Sequence, residues 1–214
     1  MNFHNKYWDT AKKNLDTAYR GQNVKISKTE LFEKWFISQN IAFSKNWNTL
    51  DIGAGTGRWA LWIAPKVKKT TCIDFSAEML KHVRQKSIEQ KINNILFIKS
   101  DINDWKPEKE EYYDFVIISG ILELIDEAGC GNLINKISRV LKNNGKLLFR
   151  DHIAGKPFIK NNFVFFRDKK FYSDLFLMSG LKLVKESFTI SFLSEIFFNK
   201  PFTKIFIWKK TRTS

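Results

Sequence analysis

No stretch of the chain restricts its architecture more than Leu50-Asp51-Ile52-Gly53-Ala54-Gly55-Thr56-Gly57-Arg58-Trp59-Ala60, where an apolar run breaks into three alternating glycines and then resumes at helical spacing. Residues 47–52 read as a buried strand. Trp59, Trp62 and Ile63 recur at i, i+3 and i+4 until Pro65 ends the helix. The glycines allow backbone conformations and close approaches that a Cβ would forbid. A ligand can therefore lie against the main chain at a helix N-terminus, where an anionic group is favoured. The turn is a cradle of the nucleotide-binding kind.

The flanking residues narrow the ligand. A dinucleotide fingerprint places its third glycine at position 58, which is Arg58 here. A pyrophosphate is also repelled by Asp51 at the strand end, whereas a cationic ligand suits it. S-adenosylmethionine has that polarity, with a positive sulfonium and amine and one carboxylate to face the helix N-terminus and Arg58. Asp74, 21 residues beyond Gly53, stands where an acid for ribose hydroxyls belongs.

On residues 50–60 and Asp74 the sequence resembles the class I S-adenosylmethionine-dependent methyltransferases. Ser100-Asp101-Ile102 resembles that family's adenine-contacting turn, residues 114–120 its fourth strand and residues 142–149 its fifth. The resemblance runs over about residues 47–190 and implies an α/β fold of Rossmann-like type. The expected sheet is doubly wound and mostly parallel, with an antiparallel closing strand and helices on both faces. It also implies S-adenosyl-L-methionine as cofactor and S-adenosyl-L-homocysteine as product.

The periodicity agrees with one domain, residues 1–45 forming an N-terminal helical cap and 46–214 the core. Residues 27–30 form a capping box ahead of an apolar stripe of Leu31, Phe32, Trp35 and Phe36. Strands are predicted at 70–74, 94–99 and 115–118. Ser76 caps one helix, and Leu133, Ile134, Ile137, Val140 and Leu141 mark another. A third, through Phe171, Leu175 and Met178, stops at Gly180, and residues 202–208 are the candidate antiparallel strand.

Ligands of such sheets lie beyond the carboxyl ends of the strands. The resemblance assigns cofactor contacts to Asp51, Gly53, Ala54, Gly55, Gly57, Arg58, Asp74, Phe75, Met79, Asp101, Ile102 and Ser119. Asp74 is expected on the ribose, Asp101 and the Ile102 amide on the adenine, and Phe75 and Met79 against its faces. Residues following strands four and five reach the acceptor, so Glu123, Asp151 and His152 are the catalytic candidates. Asp151 is favoured, because the resembled families carry a carboxylate there and neighbours on an extended segment point opposite ways. Tyr7, Trp8 and Arg167 are candidates for binding substrate, and the Phe-rich residues 191–198 are expected in the acceptor pocket or at a lipid or partner contact.

The expected acceptor is small or glycan-type and is methylated at O or N. Ser119-Gly120-Ile121-Leu122 replaces the Pro-Pro turn of enzymes that methylate exocyclic base amines. Short matches to protein α-N-terminal and tRNA 3-methylcytidine methyltransferases leave a macromolecular acceptor as the alternative, beside a cofactor-binding subunit without catalysis. The formal net charge of +14 attracts anions such as nucleic acid, although lysines are spread along the whole chain. Cys72 and Cys130 have no metal-site spacing and no metal is expected. Without a signal-like or membrane-spanning run, the expected location is cytoplasmic.

Overall fold

The computed structural model describes residues 28–160, 164–188 and 201–211. Tyr7, Trp8 and residues 191–198 lie outside these. Helix α1 (Lys28–Asn40) leads into β1 (Asn48–Ile52), followed by the glycine turn, α2 (Ala60–Ile63), β2 (Lys69–Asp74) and α3 (Ala77–Glu89). Then come β3 (Ile95–Lys99), β4 (Tyr113–Ser119), α4 (Glu127–Val140) and β5 (Leu141–Ile153). A hairpin of β6 (Phe158–Lys160) and β7 (Val164–Phe166) precedes α5 (Lys169–Met178), β8 (Leu181–Phe188) and β9 (Phe202–Lys210).

The main sheet has the order β3-β2-β1-β4-β5-β9-β8. All pairings from β3 to β5 are parallel, and β9 runs antiparallel to both its neighbours. The closing strand is thus residues 202–210, inserted between β5 and β8. The order reverses between β1 and β4, which opens a crevice at their carboxyl ends.

Alternate residues of β4 fill both sides of the sheet, as its unbroken apolar run requires. Val116 and Ile118 join Leu133, Ile134 and Ile137 of α4 and Tyr172 and Phe176 of α5 in one core. Phe115 and Ile117 join Phe36 and Ile37 of α1 and Ile63 of α2 in the other. The helices begin as their sequences specify, with Ser76, Asp126 and Asp168 accepting from the amides of Met79, Gly129 and Phe171. No helix among the described residues is long and apolar enough to cross a membrane.

One local expectation changes and one element was not anticipated. On α1 the buried face is Glu33, Phe36 and Ile37, whereas Leu31 and Trp35 are exposed. The helix is turned so that Glu33 meets Arg58 and Arg150. The β6–β7 hairpin was not legible, since its strands are only three residues long.

Candidate active site

At the carboxyl ends of β1 to β4 lies a cavity of about 290 Å³. Gly53, Gly55, Asp74, Phe75, Met79, Asp101, Ile102 and Ser119 line it, all expected at the cofactor. Gly120, which follows Ser119, shares the wall, and Ser76, Asn103, Ile121, Leu124 and Ile125, which sequence reasoning missed, complete it. The last three lie on or beside a 3-10 turn, Leu122–Leu124, that carried no motif of its own.

The glycines divide their work. Gly53, Gly55 and Gly57 all have positive φ. A Cβ on Gly53 would overlap the Ile121 side chain, and one on Gly57 would come within 2.7 Å of Val83 Cγ1. Gly57 therefore serves the packing of α2 on α3 and does not line the cavity. The amides of Gly53 and Ala54 donate to the Ile73 carbonyl, that of Gly55 to Asp74 Oδ2 at 2.8 Å, and that of Gly57 to the Ala54 carbonyl. The turn thus offers a close surface of main chain, with these four donors satisfied internally.

Asp51 was expected at the cofactor. Its carboxylate instead accepts from the Ala60 amide at 3.1 Å, at the start of α2, and the residue is 1% exposed. Burial pushes its pKa up to about 7, against the hydrogen bond from Ala60 and with the repulsion of Asp74. The protein's own carboxylate fills the helix terminus that an anionic ligand group was expected to use.

Arg58 also departs from its expected place. Its guanidinium pairs with Glu33 and stacks over Trp59 at 4.3 Å, and Arg58 is not among the cavity-lining residues. Arg150 Nε donates to Glu33 at 2.8 Å, so one fully buried carboxylate joins two cations. Ala54 is buried behind the turn with Ala60, Cys72 and Leu80.

Asp74 keeps its expected position at the cavity wall. Burial raises its pKa, against hydrogen bonds from the amides of Ser76, Gly55 and Phe75. A carboxylate offers about four lone-pair sites, so beside the three amides acceptor capacity remains for a ribose. Beside it Phe75, Met79 and Ile102 supply apolar surface for a planar base. These residues fit an adenosine-bearing ligand.

The three catalytic candidates do come together. His152 Nδ1 lies 2.7 Å from Glu123 Oε2, and the amides of Glu123 and His152 donate to Asp151 Oδ2 and Oδ1 at 3.2 and 2.9 Å. Asp151 is 0% exposed, whereas the His152 side chain is 38% exposed. The preference for Asp151 at the acceptor is therefore corrected: its carboxyl turns inward and ties the turn after β4 to the end of β5. Side-chain oxygen and nitrogen atoms of Glu123, Asp151 and His152 lie within 4.8 Å of one another.

Arg167, expected to bind substrate, is 4% exposed. It donates to the carbonyls of Leu122 and Ile125 at 2.7 and 2.6 Å, bracing the turn that walls the cavity. Both cysteines are buried, and burial pushes the Cys130 thiol up to about 12.

A family model described as a methyltransferase domain matches residues 49–145. The demethylmenaquinone methyltransferase of Lactiplantibacillus plantarum is 30% identical over 112 residues, covering 50% of this chain and 46% of that protein. The (S)-coclaurine N-methyltransferase of Papaver somniferum is 27% identical over 140 residues, covering 64% of this chain and 38% of that protein. This chain spans less than half the length of either relative. Among solved structures, phosphoethanolamine N-methyltransferase 2 of Haemonchus contortus in complex with S-adenosyl-L-methionine matches with a TM-score of 0.76 at 16% identity, covering 97% of this chain and 58% of that one. The matched methyltransferase domain, the seven-stranded sheet and the acid-bearing cavity at its switch point together support the class I S-adenosylmethionine-dependent methyltransferase family.

Proposed function

We propose that this protein binds S-adenosyl-L-methionine in the cavity and transfers its methyl group to an O or N atom of a small or glycan-type acceptor. The observation that carries the reading is the cavity itself, with Asp74 and Asp101 at its rim and Phe75, Met79 and Ile102 as apolar walls. When bound, S-adenosylmethionine supplies a methyl group on a positively charged sulfur, open to in-line attack by an acceptor lone pair. The chain's task is then to position and to exclude water, since holding reactants at attack distance supplies much of the acceleration. Asp74 takes the ribose hydroxyls and Asp101 the adenine amino group. Ser119 and Gly120, at the end of β4, border the transferred methyl. Glu123 and His152 stand on the acceptor side. Two relatives named for N-methylation support nitrogen as one of the acceptor atoms.

Calorimetry with S-adenosylmethionine and with a nicotinamide dinucleotide tests the reading. Binding of the first and not the second is expected. Asp74→Ala should weaken it by about 1.5 to 3 kcal/mol, the scale of a lost charge-assisted hydrogen bond. An unchanged affinity would remove Asp74 from the site. Binding without any turnover to S-adenosylhomocysteine would favour the cofactor-holding subunit. The net charge of +14 favours a second reading, in which the acceptor is tRNA or a protein N-terminus. Turnover with total tRNA that falls steeply with salt would select it.

A further inference from the structure

The turn that walls the cavity through Ile121 and Leu124 carries Glu123 between them, and Glu123 receives His152 from the end of β5. The Glu123 amide donates to the buried Asp151 carboxyl. Asp151 is held well above the usual carboxylate range by burial and by the Glu123 charge. Burial opposes the Glu123 charge, but the hydrogen bond and charge of His152, together with nearby Arg150, keep its pKa below the usual value. Glu123 is thus the carboxylate that faces His152, and it accepts Nδ1–H at 2.7 Å. Fixing the proton on Nδ1 leaves Nε2 as the lone pair of the ring.

The other flank of His152 is aromatic. Phe166 of β7 meets the imidazole edge to face at 5.9 Å between centroids, and Phe158 of β6 packs on Phe166 at 4.8 Å. Phe158 is 45% exposed. Ring faces and a neighbouring carboxylate both attract a cation, and the Arg167 guanidinium is turned inward onto backbone carbonyls. A phenolate or carboxylate acceptor would meet Glu123 as a like charge. An ammonium meets two attractive groups and a base.

We propose that the acceptor is an amine, drawn in as its ammonium between Glu123 and the Phe158–Phe166 rings, and that His152 Nε2 removes its proton. The proton leaves the ammonium nitrogen for Nε2, the imidazolium so formed is neutralised by Glu123, and the amine recovers the lone pair that methylation needs. Glu123 is a positioning residue and His152 the catalytic base. The proposal rests on the cofactor reading above and specifies the acceptor of that same site.

The purified full chain is assayed for S-adenosylhomocysteine with two amines, tetrahydroisoquinoline and N-methylethanolamine, and with catechol and benzoate. Turnover with an amine and not with catechol or benzoate is expected. His152→Ala should lose about 10²-fold or more in kcat, with S-adenosylmethionine affinity intact by calorimetry and partial rescue by added imidazole. Nitrogen-15 NMR should show the Nδ1–H tautomer of His152 in the wild type and its loss in Glu123→Ala, a change that a merely structural Glu123 would not cause. Preference for catechol or benzoate, no turnover of either amine, or full activity of His152→Ala overturns the proposal. So does activity lost to a chelator and restored by a divalent cation. If calorimetry shows no S-adenosylmethionine binding, the cofactor reading fails and this proposal with it; every other failure leaves that reading standing.

Discussion

At Asp51 a single carboxylate is asked to start a helix from inside the protein. Its pKa rises from 3.8 to about 7, so between these values the folded chain holds a proton that the unfolded chain has released. Stability then falls as pH climbs from about 4 to 7 and levels off above, because the unfolded state is the one that binds fewer protons in that window. Asn at this position keeps an oxygen for the Ala60 amide and carries no charge. We therefore expect Asp51→Asn to match the wild type near pH 4 and to be more stable at pH 8, by at most about 4 kcal/mol. Urea unfolding at the two pH values measures it; a gain confined to the acidic side would contradict the assignment. Asp74 was legible because the glycine spacing locates it, whereas the strand end placed Asp51 but did not show that its carboxyl would turn onto the Ala60 amide. The partner of Arg58 was not legible, since Glu33 sits 25 residues earlier on a helix whose polar and apolar faces gave no reason to bury an acid. The inward turn of Asp151 was hidden for a related reason: alternation along a strand says which side a residue leaves from, not which backbone amides wait there.

Elements were easier to read than the contacts between them. The β-branched run of β4 and the helical period of α4 each follow from local pattern, and both appear where expected. The β6–β7 hairpin escaped, being too short for a period to register, yet it supplies the aromatic flank of His152. The glycine turn shows how much one element can conceal. Gly55 and Gly57 look alike in sequence, but a Cβ on Gly55 would find its nearest neighbour at 3.9 Å, whereas one on Gly57 would meet both Val83 methyls within 2.9 Å and Leu61 Cδ1 at 3.3 Å. Both alanine variants bear the cost of a left-handed backbone, about 1 to 2 kcal/mol. Only Gly57→Ala adds overpacking of about 1 to 3 kcal/mol. Chemical denaturation should rank Gly57→Ala below Gly55→Ala, and Val83→Ala introduced with Gly57→Ala should relieve its excess cost. Equal losses would show that α2 and α3 yield without strain.

Across the whole molecule, the site exists only once the sheet is complete. Its wall draws on the carboxyl ends of β1 to β4 and on the segments after them, from Gly53 to Ile125, and these segments are distant from one another in the unfolded chain. The βα alternation made this convergence foreseeable, while the insertion of β9 between β5 and β8 lay in the pairing order, which local pattern does not encode. A ligand that needs the assembled wall binds the native state alone and stabilises it by mass action, about 2.7 kcal/mol at a hundredfold excess over Kd. For a chain of this length about 1 kcal/mol moves Tm by about 2 to 4 °C, so S-adenosylmethionine at that excess should raise Tm by about 5 to 11 °C. The comparison must be made at constant ionic strength, because a net charge of +14 repels itself and added salt stabilises the compact state without any ligand. At the same cofactor concentration Asp74→Ala should lose most of the rise, and a nicotinamide dinucleotide should leave the wild-type Tm where it was. A rise that is as large in Asp74→Ala as in the wild type would mean that the ligand is held elsewhere than at the switch point of the sheet.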